Sequence, residues 1–303
     1  METVIDVSGL RKAYGATVAV EDISFGVGKG EIFGIVGPNG AGKTTAVECV
    51  TGLRVPDRGT VRTLGLDPQR QGRALRERIG VQLQRADLPD RLKVWEALAL
   101  YASFYRRAAD WRPLLDRWGL AEKRDVPFAA LSGGQKQRLF IALALVNDPE
   151  VVVLDELTSG LDPQARRATW EHVEAIRDRG TTVVLVTHMM DEAERLCDRV
   201  AIVDRGRIVA LDRPAALVRS LAGGQRVRFG VANGFDPSWL RSLPDVCRVT
   251  RDGAEVIVEG GGPLLVRVAA GLAERGLAPA DLRTEQTTLE DVCLALTGRT
   301  LRD

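Results

Sequence analysis

Residues 37–45 read Gly37-Pro38-Asn39-Gly40-Ala41-Gly42-Lys43-Thr44-Thr45 and follow the apolar run Ile32-Phe33-Gly34-Ile35-Val36. A strand, a glycine-rich loop and Lys-Thr at the mouth of a helix make the Walker A pattern, a cradle for a phosphate chain. Glycines let the backbone curl so that successive N–H groups face one point. A helix beginning near Lys43 adds the positive end of its dipole. Lys43 is placed to reach β- and γ-phosphates, and the Thr44 hydroxyl to ligate Mg²⁺. A glycine-rich turn ending by chance in Lys-Thr does not account for the fit at every defined position.

A second loop, Leu131-Ser132-Gly133-Gly134-Gln135, again offers a hydroxyl and open backbone N–H groups at the start of a helix expected over 135–146. Read alone it is also an ordinary N-cap before an amphipathic helix. The strand-like run Val151-Val152-Val153-Leu154 then ends in Asp155-Glu156. Four apolar residues suit a strand of a parallel sheet buried on both faces. Open α/β sheets place ligands at the carboxyl ends of such strands. Neighbouring carboxylates there can aim one group at a metal and the other at the line of attack.

Taken together, these loops resemble the ATP-binding cassette (ABC) ATPases, whose signature is LSGGQ. The resemblance implies ATP as substrate, Asp155 as the Walker B ligand of Mg²⁺ and Glu156 as the general base. Ser159-Gly160-Leu161-Asp162 resembles the family's D-loop. His188, at the end of the run Thr182–Thr187, resembles its switch histidine, which contacts γ-phosphate. Gln84 resembles the Q-loop glutamine, in the Mg²⁺ or water shell, because a polar run follows it; Gln82 competes for that role. Tyr14, just before a strand and ahead of the glycine loop, resembles the aromatic that stacks on adenine. The second histidine of the chain, His172, falls in a helix expected over 163–179 and reads as solvated or partly packed.

Two positions depart from the family pattern. Leu157 stands where proline usually follows the Walker B glutamate, so the turn into the D-loop is expected to be looser. Met189-Met190 follow the switch histidine where an acidic residue is common; Asp191-Glu192 come next.

The elements that position these groups belong to a chain of 303 residues with net charge +1 and 45% hydrophobic residues. That length suits about two domains. The balance argues against a dedicated nucleic-acid binder. No apolar run approaches the ~20 residues of a membrane span, and no secretory leader is expected. Cys49, Cys197, Cys247 and Cys293 are widely spaced, without a metal pattern, and are expected to be reduced and buried. Between Gln84 and Leu131, apolar residues at helical spacing predict two helices, from Val94 to Tyr105 and from Trp111 to Leu120, with most aromatics in the core. In the family this subdomain faces the membrane partner, and the Gln84–Asp90 loop is the better contact candidate.

The pattern changes after Ala210. Asp212-Arg213-Pro214 and Ala222-Gly223-Gly224-Gln225 read as turn and linker. A small α+β unit is expected beyond: a strand over 226–231, a helix over 237–243, a hairpin around Arg251-Asp252-Gly253-Ala254, an amphipathic helix over 264–275 and a closing helix with a Thr288 cap and terminal Gly298. The apolar stripe of that last helix is Leu289, Val292, Cys293 and Leu296. Its sequence, Thr288-Leu289-Glu290-Asp291-Val292-Cys293-Leu294-Ala295-Leu296-Thr297-Gly298, resembles the tail of ATPases from daunorubicin/doxorubicin-type drug exporters, with Cys293 in place of the usual Phe.

The expected fold is therefore an α/β P-loop NTPase of the ABC type over 1–220, with a helical subdomain over about 85–145, and an α+β accessory domain over 221–303. The resemblance implies an ATPase subunit at the cytoplasmic face of the membrane, powering an exporter of drug, lipid or other hydrophobic cargo through a separate integral-membrane permease. With one cassette per chain, it also implies a head-to-tail homodimer. There Gly37–Thr45 of one subunit faces Ser132, Gly133, Gly134 and Gln135 of the other. No nucleic acid is expected as a partner.

Overall fold

The computed structural model describes residues 2–83, 87–106, 109–221, 225–232, 234–279, 281–285 and 287–298. They form two compact units, residues 2–214 and 215–298.

The first unit opens with two long strands, β1 (Thr3–Tyr14) and β2 (Thr17–Gly28), paired antiparallel. β3 (Ile32–Val36) is buried at every residue and runs into α1 (Lys43–Val50). Then come β4 (Arg58–Thr63), α2 (Gly72–Arg76), β5 (Ile79–Gln82), α3 (Val94–Ser103), α4 (Arg112–Arg117), α5 (Gly133–Ala144), β6 (Val151–Asp155), α6 (Pro163–Arg177), β7 (Thr182–Thr187), α7 (Met190–Leu196), β8 (Arg199–Asp204) and β9 (Arg207–Asp212). One nine-stranded sheet runs β4-β1-β2-β9-β8-β3-β7-β6-β5. Its β8-β3-β7-β6-β5 portion is parallel, and β1, β2 and β4 pair antiparallel. β3, β6 and β7 are buried at every residue, and apart from Asp155, Thr182 and Thr187 they carry no polar side chain, as suits strands covered on both faces. On one face α1 packs against β1, β2 and β4 around a core that includes Phe25 stacked on Phe33, 5.2 Å between ring centroids. α6 and α7 pack against each other, with α6 also against β7 and α7 against β3 and β7.

Register decides what meets at the sheet edge. Val36 of β3 lies beside Thr187 of β7, and Asp155 of β6 beside Val186 of β7. The chain therefore leaves three adjacent strands at one level, into Gly37, Glu156 and His188. The two helices expected between Gln84 and Leu131 are present as α3 and α4, the second only six residues long. The aromatics there divide: Trp118 is buried, whereas Phe104 is 65% exposed. His172, on α6, packs against Trp118 at 4.6 Å between ring centroids.

α8 (Pro214–Leu221) forms between the two stretches read as turn and linker. The second unit contains β10 (Gln225–Gly230), β11 (Val246–Asp252), β12 (Glu255–Gly260), α9 (Leu264–Glu274), β13 (Arg283–Glu285) and α10 (Leu289–Thr297). Its antiparallel sheet runs β11-β12-β10-β13 and has its own core, including Val227, Phe229, Val256, Val258, Leu264 and Val268. The segment read as a helix over 237–243 is instead a 3-10 turn, Ser238–Ser242. Asp236 lies just before it, its carboxylate accepting from the Ser238 amide at 2.9 Å, and Pro244 limits its length, so i→i+3 bonds are what so short a run closes. β13 carries no apolar alternation and is the strand the sequence did not announce.

α10 begins and ends as its residues dictate. The Thr288 hydroxyl accepts from the Asp291 amide at 3.4 Å, and the Asp291 carboxylate accepts from the Thr288 amide at 2.9 Å. Gly298 closes it at φ 67, the left-handed region that favours glycine. Leu289, Val292 and Cys293 are buried, but Leu296, in the last turn, is 45% exposed and leaves the expected stripe. Of the four cysteines, Cys247 is exposed and the other three are buried.

Candidate active site at the sheet edge

The glycine loop is shaped by what crowds it. Gly37 has φ 150, and a Cβ there would collide with the Val203 carbonyl. Gly42, at φ 101, caps α1, and a Cβ there would collide with the Ala19 carbonyl. The loop is thus held from both sides by backbone, and only glycine fits at its two ends. Lys43 is buried, its Nζ donating to the Gly37 carbonyl at 2.8 Å and the Pro38 carbonyl at 2.9 Å. It closes the loop over the N-terminus of α1 and brings a positive charge there. Asn39 and Gly40, at the tip, are exposed; Ala41 is buried, and Thr45 lies in the first turn of α1.

Across from this loop, Asp155 ends β6 and is 1% exposed. Its Oδ2 accepts from the Thr44 hydroxyl at 3.1 Å. Among the described residues, its Oδ1 is buried without a hydrogen-bond partner. Burial pushes this carboxyl up to about 6, with the nearby Glu156 carboxylate adding and Thr44 and Lys43 opposing. A buried oxygen left unpaired beside a threonine hydroxyl is a hard-cation donor set, and it fits Mg²⁺. The lysine, the helix N-terminus and the backbone-fixed glycines fit a polyphosphate.

Glu156 follows directly and points elsewhere. Its Oε1 lies 3.2 Å from His188 Nδ1, and the Ser159 hydroxyl donates to Oε2 at 3.5 Å. Its backbone φ is 51, left-handed for a residue that is not glycine, while its amide donates to the Val186 carbonyl at 2.8 Å. Such strain costs on the order of 1–2 kcal/mol. Leu157 permits it: a proline there would drive its predecessor toward extended backbone. Leu157 is itself fully buried, so the turn into Ser159-Gly160-Leu161-Asp162 is packed rather than loose. The sequence thus brings together Gly37–Thr45, Asp155, Glu156 and His188.

The other predicted site residues sit on separate elements. Tyr14 is the last residue of β1, at the β1–β2 hairpin, and its ring is 42% exposed. The Arg54 guanidinium and Lys12 ammonium stand 5.3 and 5.7 Å from the ring centroid. Ser132 is both N-cap and exposed: its hydroxyl accepts from the Gln135 amide at 3.3 Å, and Gln135 Oε1 accepts from the Ser132 amide at 2.9 Å. The capping reading of this loop is therefore met as well. Ser132, Gly133 and Gly134 share an open cleft of about 550 Å³ with Gly160, Leu161 and Asp162. Gln84 lies outside the described residues. Its competitor Gln82 is buried in β5, with its amide donating to the Leu83 carbonyl at 2.9 Å.

Sequence reasoning missed a buried polar group behind the Glu156–His188 pair. Thr158, Trp170 and Glu192 converge there, with Glu192 Oε1 accepting from the Thr158 hydroxyl at 2.8 Å and from the Trp170 indole at 3.1 Å. A signal existed: Glu192 and Leu196 lie one helical turn apart on α7, and both are buried.

A glycine-rich loop before a helix at the edge of a parallel sheet, facing a buried aspartate and a glutamate–histidine pair, has the layout of a P-loop nucleotide-hydrolase site. Residues 20–159 match the family model described as ABC transporter. Over its whole length the chain is 41% identical to the Nod factor export ATP-binding protein I of Paraburkholderia xenovorans strain LB400, covering 99% of that protein. It is 38% identical to the protein of the same name in Sinorhizobium fredii strain NBRC 101917 / NGR234, covering all of this chain and 88% of that one. Among solved structures, an ATP-binding subunit of an ABC transporter superposes with a TM-score of 0.66 at 30% identity, over 72% of this chain and 93% of that one. The ATP-binding cassette MJ0796, solved as a dimer bound to ADP and Pi, gives a TM-score of 0.61 at 26% identity over 69% of this chain and 98% of that one. The chain belongs to the ATP-binding subunits of ABC transporters, and it is an ATPase of that family. Among the described residues, no helix is long and apolar enough to cross a membrane.

Proposed function

We propose that this subunit hydrolyses ATP to drive export through a separate membrane permease, acting as a head-to-tail dimer at the cytoplasmic face of the membrane. The observation that carries the catalytic half is the division of labour at the end of β6. Asp155 keeps a buried oxygen with no partner among the described residues, beside Thr44, while Glu156 turns away to His188. Thr44 and Asp155, with Gln84, would hold Mg²⁺, which when bound neutralises charge between β- and γ-phosphates. Lys43 and the backbone N–H groups of the loop, Pro38 excepted, hold the phosphates. Tyr14 stacks on adenine. Glu156 takes a proton from the attacking water, and His188, at 3.2 Å, orients the carboxylate and reaches toward γ-phosphate. Ser132, Gly133, Gly134 and Gln135 of the second subunit complete the site from across the dimer; that the solved MJ0796 cassette is dimeric supports a two-subunit assembly.

Two observations support export. Relatives named for Nod factor export align with the chain from end to end, including residues 215–298, whereas the solved cassettes cover about 70% of it. The second unit is thus shared with proteins named for export. The closing helix, Thr288–Gly298, adds the likeness to drug-exporter ATPases. The drug-exporter tail favours a drug, lipid or other hydrophobic cargo; the relatives' names favour Nod factor. The test is co-expression with a candidate membrane permease from the same source, followed by ATP-dependent efflux of a hydrophobic dye and of Nod factor from inverted vesicles. Efflux that is lost in Glu156→Gln supports the reading. Vesicles in which no cargo moves although the pair assembles and hydrolyses ATP would overturn the export assignment.

A further inference from the structure

Glu192 touches none of the groups assigned to ATP, yet it is 0% exposed. A carboxylate taken fully out of water is costly unless its neighbours need it. Packing alone would be served as well by an apolar side chain of similar size. What Glu192 holds is specific. Its Oε1 receives the Thr158 hydroxyl and the Trp170 indole N–H, at 2.8 and 3.1 Å. The same Thr158 hydroxyl lies 3.5 Å from Met189 Sδ, and the Met189 amide donates to Thr187 Oγ1 at 2.9 Å. Thr158 stands two residues after Glu156, and Met189 stands one residue after His188. Glu192 thus joins the chain leaving β6, the chain leaving β7 and helix α6 at one buried point directly behind the Glu156–His188 contact. That contact is made by a glutamate with strained backbone, at φ 51, so something must hold it there.

We infer that Glu192 is a positioning residue: its contacts with Thr158 and Trp170 fix the Glu156 and His188 segments relative to each other, and so set the hydrolytic rate without contributing to ATP binding. The inference rests on the reading of Glu156 and His188 as the hydrolytic pair. It also assigns Thr158 a task apart from the adjoining D-loop, as the donor that ties Glu156 to the buried acceptor.

The test uses steady-state ATP hydrolysis by the full-length chain carrying Thr158→Val, Glu192→Met, both together, or Glu192→Gln, with Glu156→Gln as a reference. Misplacing a reacting group by about 1 Å costs ~10²-fold. Thr158→Val and Glu192→Met are expected to lower kcat by roughly tenfold to a hundredfold, with KM for ATP essentially unchanged. The double variant is expected to be no slower than the worse single, because both remove one contact. Glu192→Gln keeps an acceptor for Thr158 and Trp170 and should restore most of the turnover lost in Glu192→Met. Thr158→Val is nearly isosteric and carries the test alone if Glu192→Met does not fold. Unchanged kcat in Thr158→Val, a KM rising in step with the loss of kcat, or losses that multiply in the double variant each overturn the inference. Full turnover in Glu156→Gln would overturn the hydrolytic assignment beneath it, a result distinct from an inactive Glu156→Gln with a fully active Thr158→Val.

Discussion

His188 Nδ1 and Glu156 Oε1 lie 3.2 Å apart, although 32 residues separate them, because β6 and β7 end at the same level of the sheet. The other carboxylate oxygen of Glu156 receives the Ser159 hydroxyl at 3.5 Å. The proposed base is therefore held from both sides. Glu156→Gln keeps size and most contacts but cannot accept a proton. We expect turnover to fall by ~10²–10⁴-fold, with ATP affinity retained and the dimer held closed by bound ATP. Phosphate release and sedimentation with ATP measure both. Hydrolysis at the wild-type rate would remove Glu156 from its role. His188→Ala should also slow hydrolysis while leaving ATP binding intact.

Asp155 makes a prediction in pH. Its carboxyl is pushed from the ordinary 3.8 up to about 6, mainly by burial. Between these values the folded chain holds a proton that the unfolded chain has lost. Its contribution to stability is full below about 4 and declines as pH rises through 6. Each pH unit in that window is worth about 1.4 kcal/mol. Asp155→Asn removes the titration. Without nucleotide or metal, the variant should therefore gain on the wild type in melting temperature as pH rises from 4 to 7. It should also lose the stabilisation that Mg²⁺-ATP gives the wild type. A melting difference that does not vary with pH would show that Asp155 is not the titrating group.

The shared site predicts a cross-link between subunits. Cys247 is the exposed cysteine among the four, so it is first replaced by serine. Asn39→Cys and Ser132→Cys are then made in separate subunits; both positions are exposed. Mixed with ATP and a short bifunctional reagent, the two single variants should give a covalent dimer. A cross-link that forms only when both cysteines sit in one chain, and leaves it monomeric, would refute the head-to-tail arrangement.

The candidate site was legible in the sequence because its parts are local patterns. A glycine loop before Lys43, and two carboxylates after four apolar residues, state their own geometry. The caps of α10 were legible for the same reason. What the sequence hid was long-range. Nothing local says that Thr158 and Glu192 meet, since their contact depends on α7 packing back against α6 and β7. Nor does it reveal the left-handed backbone at Glu156, which follows from Leu157 being free of proline's restriction. β13 was invisible because a three-residue edge strand, Arg283-Thr284-Glu285, is held by backbone pairing with β10 rather than by buried side chains. Leu296 misled because helical spacing assigns a face but does not say how far along the helix that face is covered.

The last prediction separates the two units. Residues 215–298 have a sheet and a core of their own, so removing them should leave a cassette that still folds. A chain ending at residue 221 keeps all of β1 to β9, the glycine loop and the Glu156–His188 pair. We expect it to bind ATP with affinity close to that of the full chain. Its dimerisation or its support of transport should fall, because the relatives named for export retain this unit along their full length. The closing helix is the sharper probe. Leu289 is fully buried, and burying such a side chain stabilises by roughly 1.5–3 kcal/mol. Leu289→Asp should therefore melt the second unit early while ATP binding persists. Sedimentation of the truncated chain and of Leu289→Asp, each in the slow Glu156→Gln background with ATP, reads the effect on the dimer. Efflux with the permease, measured with Glu156 intact, reads the effect on transport. If the shortened cassette dimerises and exports as well as the full chain, the second unit has no part in assembly and its role lies in binding a ligand instead.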